Sequence, residues 1–170
     1  MTKETLHETS RLLVIEENDW QYVHRKNATG VVIMVAVTPQ RELVLVEQYR
    51  TPVHAHVLEL PAGIAGDLDA NETLADAANR ELEEETGYRA GVVTSLFEGS
   101  VSPGLVSETL SFFLMQDLEK VAEGGGVEDE DITVHLVPLD DAEKFFDDFR
   151  EKGGLVDCKT YTGLYIAQKN

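Results

Sequence analysis

Between Asn71 and Tyr88 the chain gathers Glu72, Asp76, Glu81, Glu83, Glu84 and Glu85 around a single cation, Arg80. Thr73 is a good N-cap and Asp76 stands three residues on, in the capping-box position. Gly87 sits where a left-handed residue closes a helix, so a helix is predicted over Leu74–Thr86. At roughly 100° per residue, Glu81, Glu84 and Glu85 share an arc of about 100°, and Glu83 points nearly the opposite way. Leu74, Ala78 and Leu82 form an apolar stripe beside that row, so the carboxylates flank the buried side of the helix. Three neighbouring carboxylates repel one another, and partial burial raises the cost. A hard divalent cation relieves both. Mg²⁺ takes oxygen ligands in an octahedron and keeps several waters, so two or three carboxylates plus a phosphate oxygen suit it. Arg80 precedes Glu84 by one helical turn and is placed to hold it. A solvated acidic helix is the competing reading of Glu-Glu-Glu taken alone.

The surrounding elements read as strands with helices at the end. Residues 8–25 suit one or two strands turning at Glu17-Asn18-Asp19. Residues 31–37 are a continuous apolar run, as expected of a strand covered on both faces, and residues 43–50 are expected to form a hairpin with it. Residues 57–60 read as a short strand that enters a Gly-rich loop over 61–66. Further strands are expected at 92–97, 110–115 and, last, 134–137, with a loop from Gly124-Gly125-Gly126 into Glu128-Asp129-Glu130-Asp131. Two helices close the chain at 140–152 and 159–168, the first with Phe145, Phe146 and Phe149 on one stripe. Strands on both sides of one helix, followed by helices, imply an α/β fold with a mixed sheet covered by helices.

The 170 residues fit one domain over 1–170. A formal charge of −18, from 14 Lys+Arg and 32 Asp+Glu, argues against a nucleic-acid backbone or an anionic membrane as partner. An anionic substrate would need a metal ion or a few placed arginines. Cys158 stands alone, which excludes an intramolecular disulfide and suits a reducing, cytoplasmic compartment. No apolar run has the length of a secretory leader core or a membrane helix.

Gly66, Glu72, Arg80, Glu81, Leu82, Glu84, Glu85, Gly87 and Tyr88 together match G-x5-E-x7-R-E-U-x-E-E-x-G-U, with U apolar. On that frame the sequence resembles the Nudix hydrolases, which cleave nucleoside diphosphates linked to another moiety using Mg²⁺ or Mn²⁺. The resemblance implies an α/β/α sandwich. It makes Glu81 and Glu85 metal ligands, Glu84 a ligand or a bridge to water, and Glu72 a supporting carboxylate. Glu59-Leu60-Pro61-Ala62-Gly63 is similar to the segment preceding this motif in ADP-ribose and nucleotide-sugar pyrophosphatases, where the alanine carbonyl binds metal, so Ala62 joins the ligand candidates. The distance from Gly63 to Glu72 is longer than in many relatives.

Pro103, sixteen residues after Gly87, resembles the marker of the ADP-ribose pyrophosphatase subgroup; Pro-Gly also makes turns without any further role. The late acidic loop implies Glu128 as general base and Glu130 as a ligand, with Glu108 the rival base. Arg50 matches the family's phosphate-contacting arginine. Trp20-Gln21-Tyr22-Val23-His24-Arg25 is similar to a stretch of dimeric ADP-sugar hydrolases in which the aromatic stacks on the base, which makes Trp20 and Arg25 substrate contacts. It also places residues 1–27 at a homodimer interface. His54 and His56 form a possible metal pair that lacks a third ligand. The expected activity is hydrolysis of the pyrophosphate of ADP-ribose or a related nucleoside diphosphate sugar. The alternatives are a Nudix enzyme of nucleoside triphosphates or dinucleoside polyphosphates, and a non-catalytic nucleotide-binding regulator.

Overall fold

Asn18 and Asp19 adopt positive φ (51° and 65°), so the expected turn forms between β2 (Leu12–Glu17) and β3 (Trp20–Arg25). An additional strand, β1 (Lys3–Glu8), precedes them, and the three make a separate antiparallel sheet in the order β1-β2-β3. In this computed structural model, residues 2–67, 69–127 and 130–170 are described.

Two four-stranded mixed sheets form the body of the molecule. One has the order β7-β4-β9-β8, from β7 (Ala62–Ala65), β4 (Gly30–Ala36), β9 (Thr109–Lys120) and β8 (Tyr88–Ser100). Within it only β4 and β9 run parallel. The other has the order β10-β5-β6-β11, from β10 (Thr133–Pro138), β5 (Glu42–Arg50), β6 (Ala55–Glu59) and β11 (Leu155–Val156). There only β6 and β11 are parallel.

The expected β4–β5 hairpin does not form. A tight turn does close between them, where the Thr38 N–H donates to the Glu42 carbonyl at 2.9 Å, but one bridge, Val37 to Leu43, is all the pairing they make. The strands then part into different sheets. Residues 32–36 and 43–46 are buried on both faces, and a run buried on both faces carries no record of which sheet it joins. The stretch 61–66, expected as loop, contains β7, which pairs with β4 from Ile33–Ala62 to Gly30–Ala65. Three small residues around a single isoleucine give too little local signal for a strand; pairing with β4 creates it. Residues 134–137 fall within β10, but β11 follows it in the chain.

Side-chain alternation on β4 divides the core. Val32, Met34 and Ala36 pack with Ala77, Ala78 and Leu82 of α1 (Leu74–Thr86). Ile33 and Val35 pack on the other side with Leu45, Leu58, Phe146 of α2 (Ala142–Glu151) and Leu164 of α3 (Cys158–Ala167). Helices thus lie on both sides of the sheets, the α/β/α arrangement. Phe146 is fully buried, with Phe145 and Phe149 partly buried beside it. Among the described residues, no helix is long and apolar enough to cross a membrane.

Candidate active site

The carboxylate helix is built as its sequence dictates. The Thr73 hydroxyl accepts the Asp76 N–H at 3.1 Å, and Gly87, at φ 72°, closes the other end with its N–H on the Glu83 carbonyl at 2.8 Å. Leu82 and the two alanines seat one face against β4. This turns Glu81, Glu84 and Glu85 toward a cavity of about 590 Å³. Glu83 points away and pairs with Arg89 at an exposed site.

Each carboxylate has its own constraint. Glu85 is 5% exposed, and its Oε2 accepts the Ala62 N–H of β7 at 3.0 Å. Glu81 lies against Gly63, where an added Cβ would fall 2.0 Å from the Glu81 Cδ. Only glycine leaves room for that carboxylate, so Gly63 is a site residue that the helix motif alone does not reveal. Arg80 binds Glu72 through Nε at 2.9 Å, Glu81 through Nη1 at 2.9 Å and Glu84 through Nη1 at 3.0 Å. Its Nη2 also reaches the Ile64 carbonyl at 3.2 Å, which ties helix to strand.

Glu130 joins them through the glycine run. The Gly125 and Gly126 N–H groups donate to the Glu85 and Glu84 carbonyls at 2.8 and 3.1 Å. Those carbonyls at the end of a helix otherwise lack partners. The cap brings the following segment to the cavity, where Glu130 lines the wall and accepts the Val127 N–H at 3.0 Å. Arg25, Gln48, Arg50 and Ala62 also line it.

Burial is the main force on the acids. It pushes Glu85 up to about 8; the Ala62 N–H opposes this, while Glu81 and Glu130 add repulsion. It pushes Glu81 up to about 7, against Arg80 and with help from Glu84 and Asp67. Arg50, which lines the same cavity, also pulls Glu85 down.

The donor chemistry fits a hard divalent cation. A buried carboxylate, Glu85, and a partly buried one, Glu81, are held close at a cost that positive charge would remove. Among the described residues, no three His, Cys, Asp or Glu side chains form a ready-made metal cage. A cation that keeps several waters needs only one or two carboxylates, so this arrangement is compatible with it.

Not every expected site residue reaches the cavity. Glu128 lies outside the described residues. Glu108 does not line it: its Oε1 accepts Arg25 Nε at 2.5 Å beside a separate, smaller cavity. Trp20 is 60% exposed, with its Nε1 donating to the Gly104 carbonyl at 3.3 Å. Pro103 lies in the exposed turn next to that glycine. Neither Trp20 nor Pro103 lines the cavity. His54 is left-handed (φ 50°) and ends a short 3₁₀ turn before β6. With His56 and His135 it lines another cavity, where Glu47 bonds His56 at 3.1 Å and His135 at 2.9 Å. Residue spacing marks neither Gln48 nor Glu59 as a site residue; strand alternation places Gln48 beside Arg50, but only tertiary contact pairs Arg50 with Glu59.

Comparison with known proteins agrees with this geometry. A family model described as "NUDIX domain" matches residues 26–156. The "ADP-ribose pyrophosphatase" of Bacillus subtilis (strain 168) is 37% identical over 140 residues, covering 82% of this chain and 72% of that one. The "GDP-mannose pyrophosphatase" of Escherichia coli (strain K12) is 38% identical over 144 residues, covering 82% and 73%. The "Methanol dehydrogenase activator" of Bacillus methanolicus is 33% identical over 140 residues, covering 82% and 72%. A solved structure titled "Crystal structure of ADP compounds hydrolase" matches the fold with a TM-score of 0.74 at 21% identity, over 99% of this chain and 91% of that one.

Proposed function

The chain belongs to the Nudix family, and on that premise we propose that it hydrolyses the pyrophosphate bond of ADP-ribose or a related nucleoside diphosphate sugar, releasing a nucleoside monophosphate and a sugar phosphate. The observation that carries this reading is one cavity in which Glu81, Glu84, Glu85 and Glu130 face Arg25 and Arg50. Carboxylates for a cation and guanidinium groups for phosphate oxygens are the two things a diphosphate needs from a protein of charge −18.

A divalent cation, Mg²⁺ or Mn²⁺, held by Glu81, Glu85, Glu130, Glu84 and the Ala62 carbonyl, would neutralise the diphosphate and make an attacking water more acidic. The protein's own groups do the rest. Arg50 and Arg25 bind the diphosphate oxygens and stabilise charge on the leaving phosphate. Arg80 is consumed by Glu72, Glu81 and Glu84 and keeps the acids in register. A glutamate accepts the proton of the attacking water, a role worth typically about 10²–10⁴-fold. Glu84, in the cavity, and Glu128, outside the described residues, are the candidates. Glu108 is engaged with Arg25 and is set aside.

Trp20 and Pro103 act on the base across an interface between two copies. Both are exposed, and the first sheet presents Leu6, Leu12, Trp20 and the neighbouring Leu105 to solvent. The single cysteine is in keeping with the cytoplasm.

The test is a hydrolysis panel with Mg²⁺: ADP-ribose, ADP-glucose, UDP-glucose, GDP-mannose, a diadenosine polyphosphate and a nucleoside triphosphate, with Glu85→Gln as control. We expect turnover of one or more diphosphate sugars, lost by about 10²-fold or more in the control and abolished by chelation. Preference for the triphosphate, with inorganic pyrophosphate released, would overturn the substrate class. No metal-dependent turnover of any compound would overturn the reading as an enzyme of this kind.

A further inference from the structure

The arginines of the catalytic cavity are held in two different ways. Arg80 gives its nitrogens to Glu72, Glu81, Glu84 and the Ile64 carbonyl. Arg50 and Arg25 each give only Nε. Arg50 Nε donates to Glu59 Oε2 at 2.7 Å, and Arg25 Nε donates to Glu108 Oε1 at 2.5 Å. Among the described residues, neither guanidinium makes another hydrogen bond.

Neither Glu59 nor Glu108 lines the cavity. Glu59 ends β6 and is 8% exposed; Glu108 precedes β9 and is partly buried. A carboxylate buried as deeply as Glu59 is costly unless it is paired, and Arg50 is its partner. A guanidinium has five N–H donors in one plane. Anchoring Nε alone fixes that plane and leaves the two terminal nitrogens as a fork. Such a fork matches a pair of phosphate oxygens, and holding it in advance reduces the ordering left for substrate to impose.

Building on the diphosphate reading above, we propose that Glu59 and Glu108 are positioning residues: each anchors the Nε edge of one arginine so that Arg50 and Arg25 present preformed forks to the substrate diphosphate. Glu59 opens the Glu-Leu-Pro-Ala-Gly segment, so the same few residues supply the Arg50 anchor, the Ala62 N–H that holds Glu85, and the glycine that admits Glu81. Cation site and Arg50 fork are thereby fixed relative to one another by β6 and β7, while the Arg25 fork is held from outside them by Glu108.

The test is steady-state kinetics on whichever diphosphate sugar the unmodified protein turns over best, in a double-mutant cycle. We expect Glu59→Leu to raise KM about tenfold or more and to lower kcat by a smaller factor, because the Arg50 fork serves both the bound diphosphate and the leaving phosphate, and Glu59→Gln, whose amide oxygen still accepts from Nε, to recover most of the loss. In an Arg50→Ala background, Glu59→Leu should change KM no further. Glu108→Leu and Arg25→Ala form a second pair, whose glutamate is more exposed than Glu59, that gives the same test if Glu59→Leu fails to fold. Additive effects in both cycles would overturn the proposal, as would an unchanged KM in the Glu59 and Glu108 variants of an active protein; the functional reading would then stand. If the unmodified protein turns over no diphosphate sugar, that reading fails and the proposal falls with it.

Discussion

Glu85 and Glu81 are acids held where their charged forms are disfavoured, pushed to about 8 and about 7 from an ordinary 4.5. Without metal the folded state therefore keeps protons that the unfolded chain has released. The sign follows: stability falls as pH rises from about 4.5 through about 8, by up to about 1.4 kcal/mol per pH unit for each group. We expect the Tm of chelator-treated protein to drop between about pH 5.5 and pH 8 from these two groups, and Mg²⁺ to restore more of it at the higher pH, where the carboxylates are free to bind. Glu85→Gln should flatten the metal-free slope and reduce the rescue by Mg²⁺. A slope and rescue unchanged by that substitution would show that Glu85 is not the group responsible. This is a thermal-melt experiment and needs no substrate.

A helix presents its carboxylates usefully only if it is seated firmly. For α1 the seat is Leu82, fully buried among Met34, Ala36 and Met115, with Ala77 and Ala78 beside it. Leu82→Ala leaves a cavity under the carboxylate row and should cost about 2–5 kcal/mol, read as a shift in denaturant midpoint. Because Glu81 and Glu85 flank Leu82 on this helix, we expect turnover to fall as well. Full stability would show that the helix is held by other contacts. Much of this element was legible in advance. Thr73, Asp76, Gly87 and the Leu74, Ala78, Leu82 stripe set its limits and its buried face, because capping and helical periodicity are local. Most strands were legible as strands but not as partners. Residues 31–37 and 43–50 look like a hairpin, yet β4 and β5 join different sheets, and β1, β7 and β11 carry too little local pattern to be seen.

At the scale of the whole molecule, the first sheet stands apart from the other two. It meets the body where the Val23 N–H donates to the Leu105 carbonyl at 2.8 Å and the Ser107 N–H donates to the Val23 carbonyl at 3.0 Å. The residues of β1 are all exposed, and an exposed strand edge invites pairing. We expect light scattering after size exclusion to give twice the 18.8 kDa chain mass. On the proposed cross-chain role of Trp20, removing residues 1–10 should weaken that dimer and raise KM. A monomer of full activity would refute the cross-chain role of Trp20.

The sequence by itself determined the carboxylate row and the face it occupies, the Arg80 bond to Glu84, the helix limits and the family. All of these rest on residues within about one stretch of chain, where spacing translates directly into geometry. Tertiary structure decided the rest. It brought Glu130 to the cavity through a cap on α1, gave Glu108 to Arg25 and Glu59 to Arg50, and made Gly63 the space that Glu81 fills. It also set Trp20 and Pro103 outside their own chain's cavity. The physical reason is sequence separation: Arg25 and Glu108 stand 83 positions apart. Which of several carboxylates meets which arginine depends on how sheets are ordered and packed, and no local period or motif encodes that order.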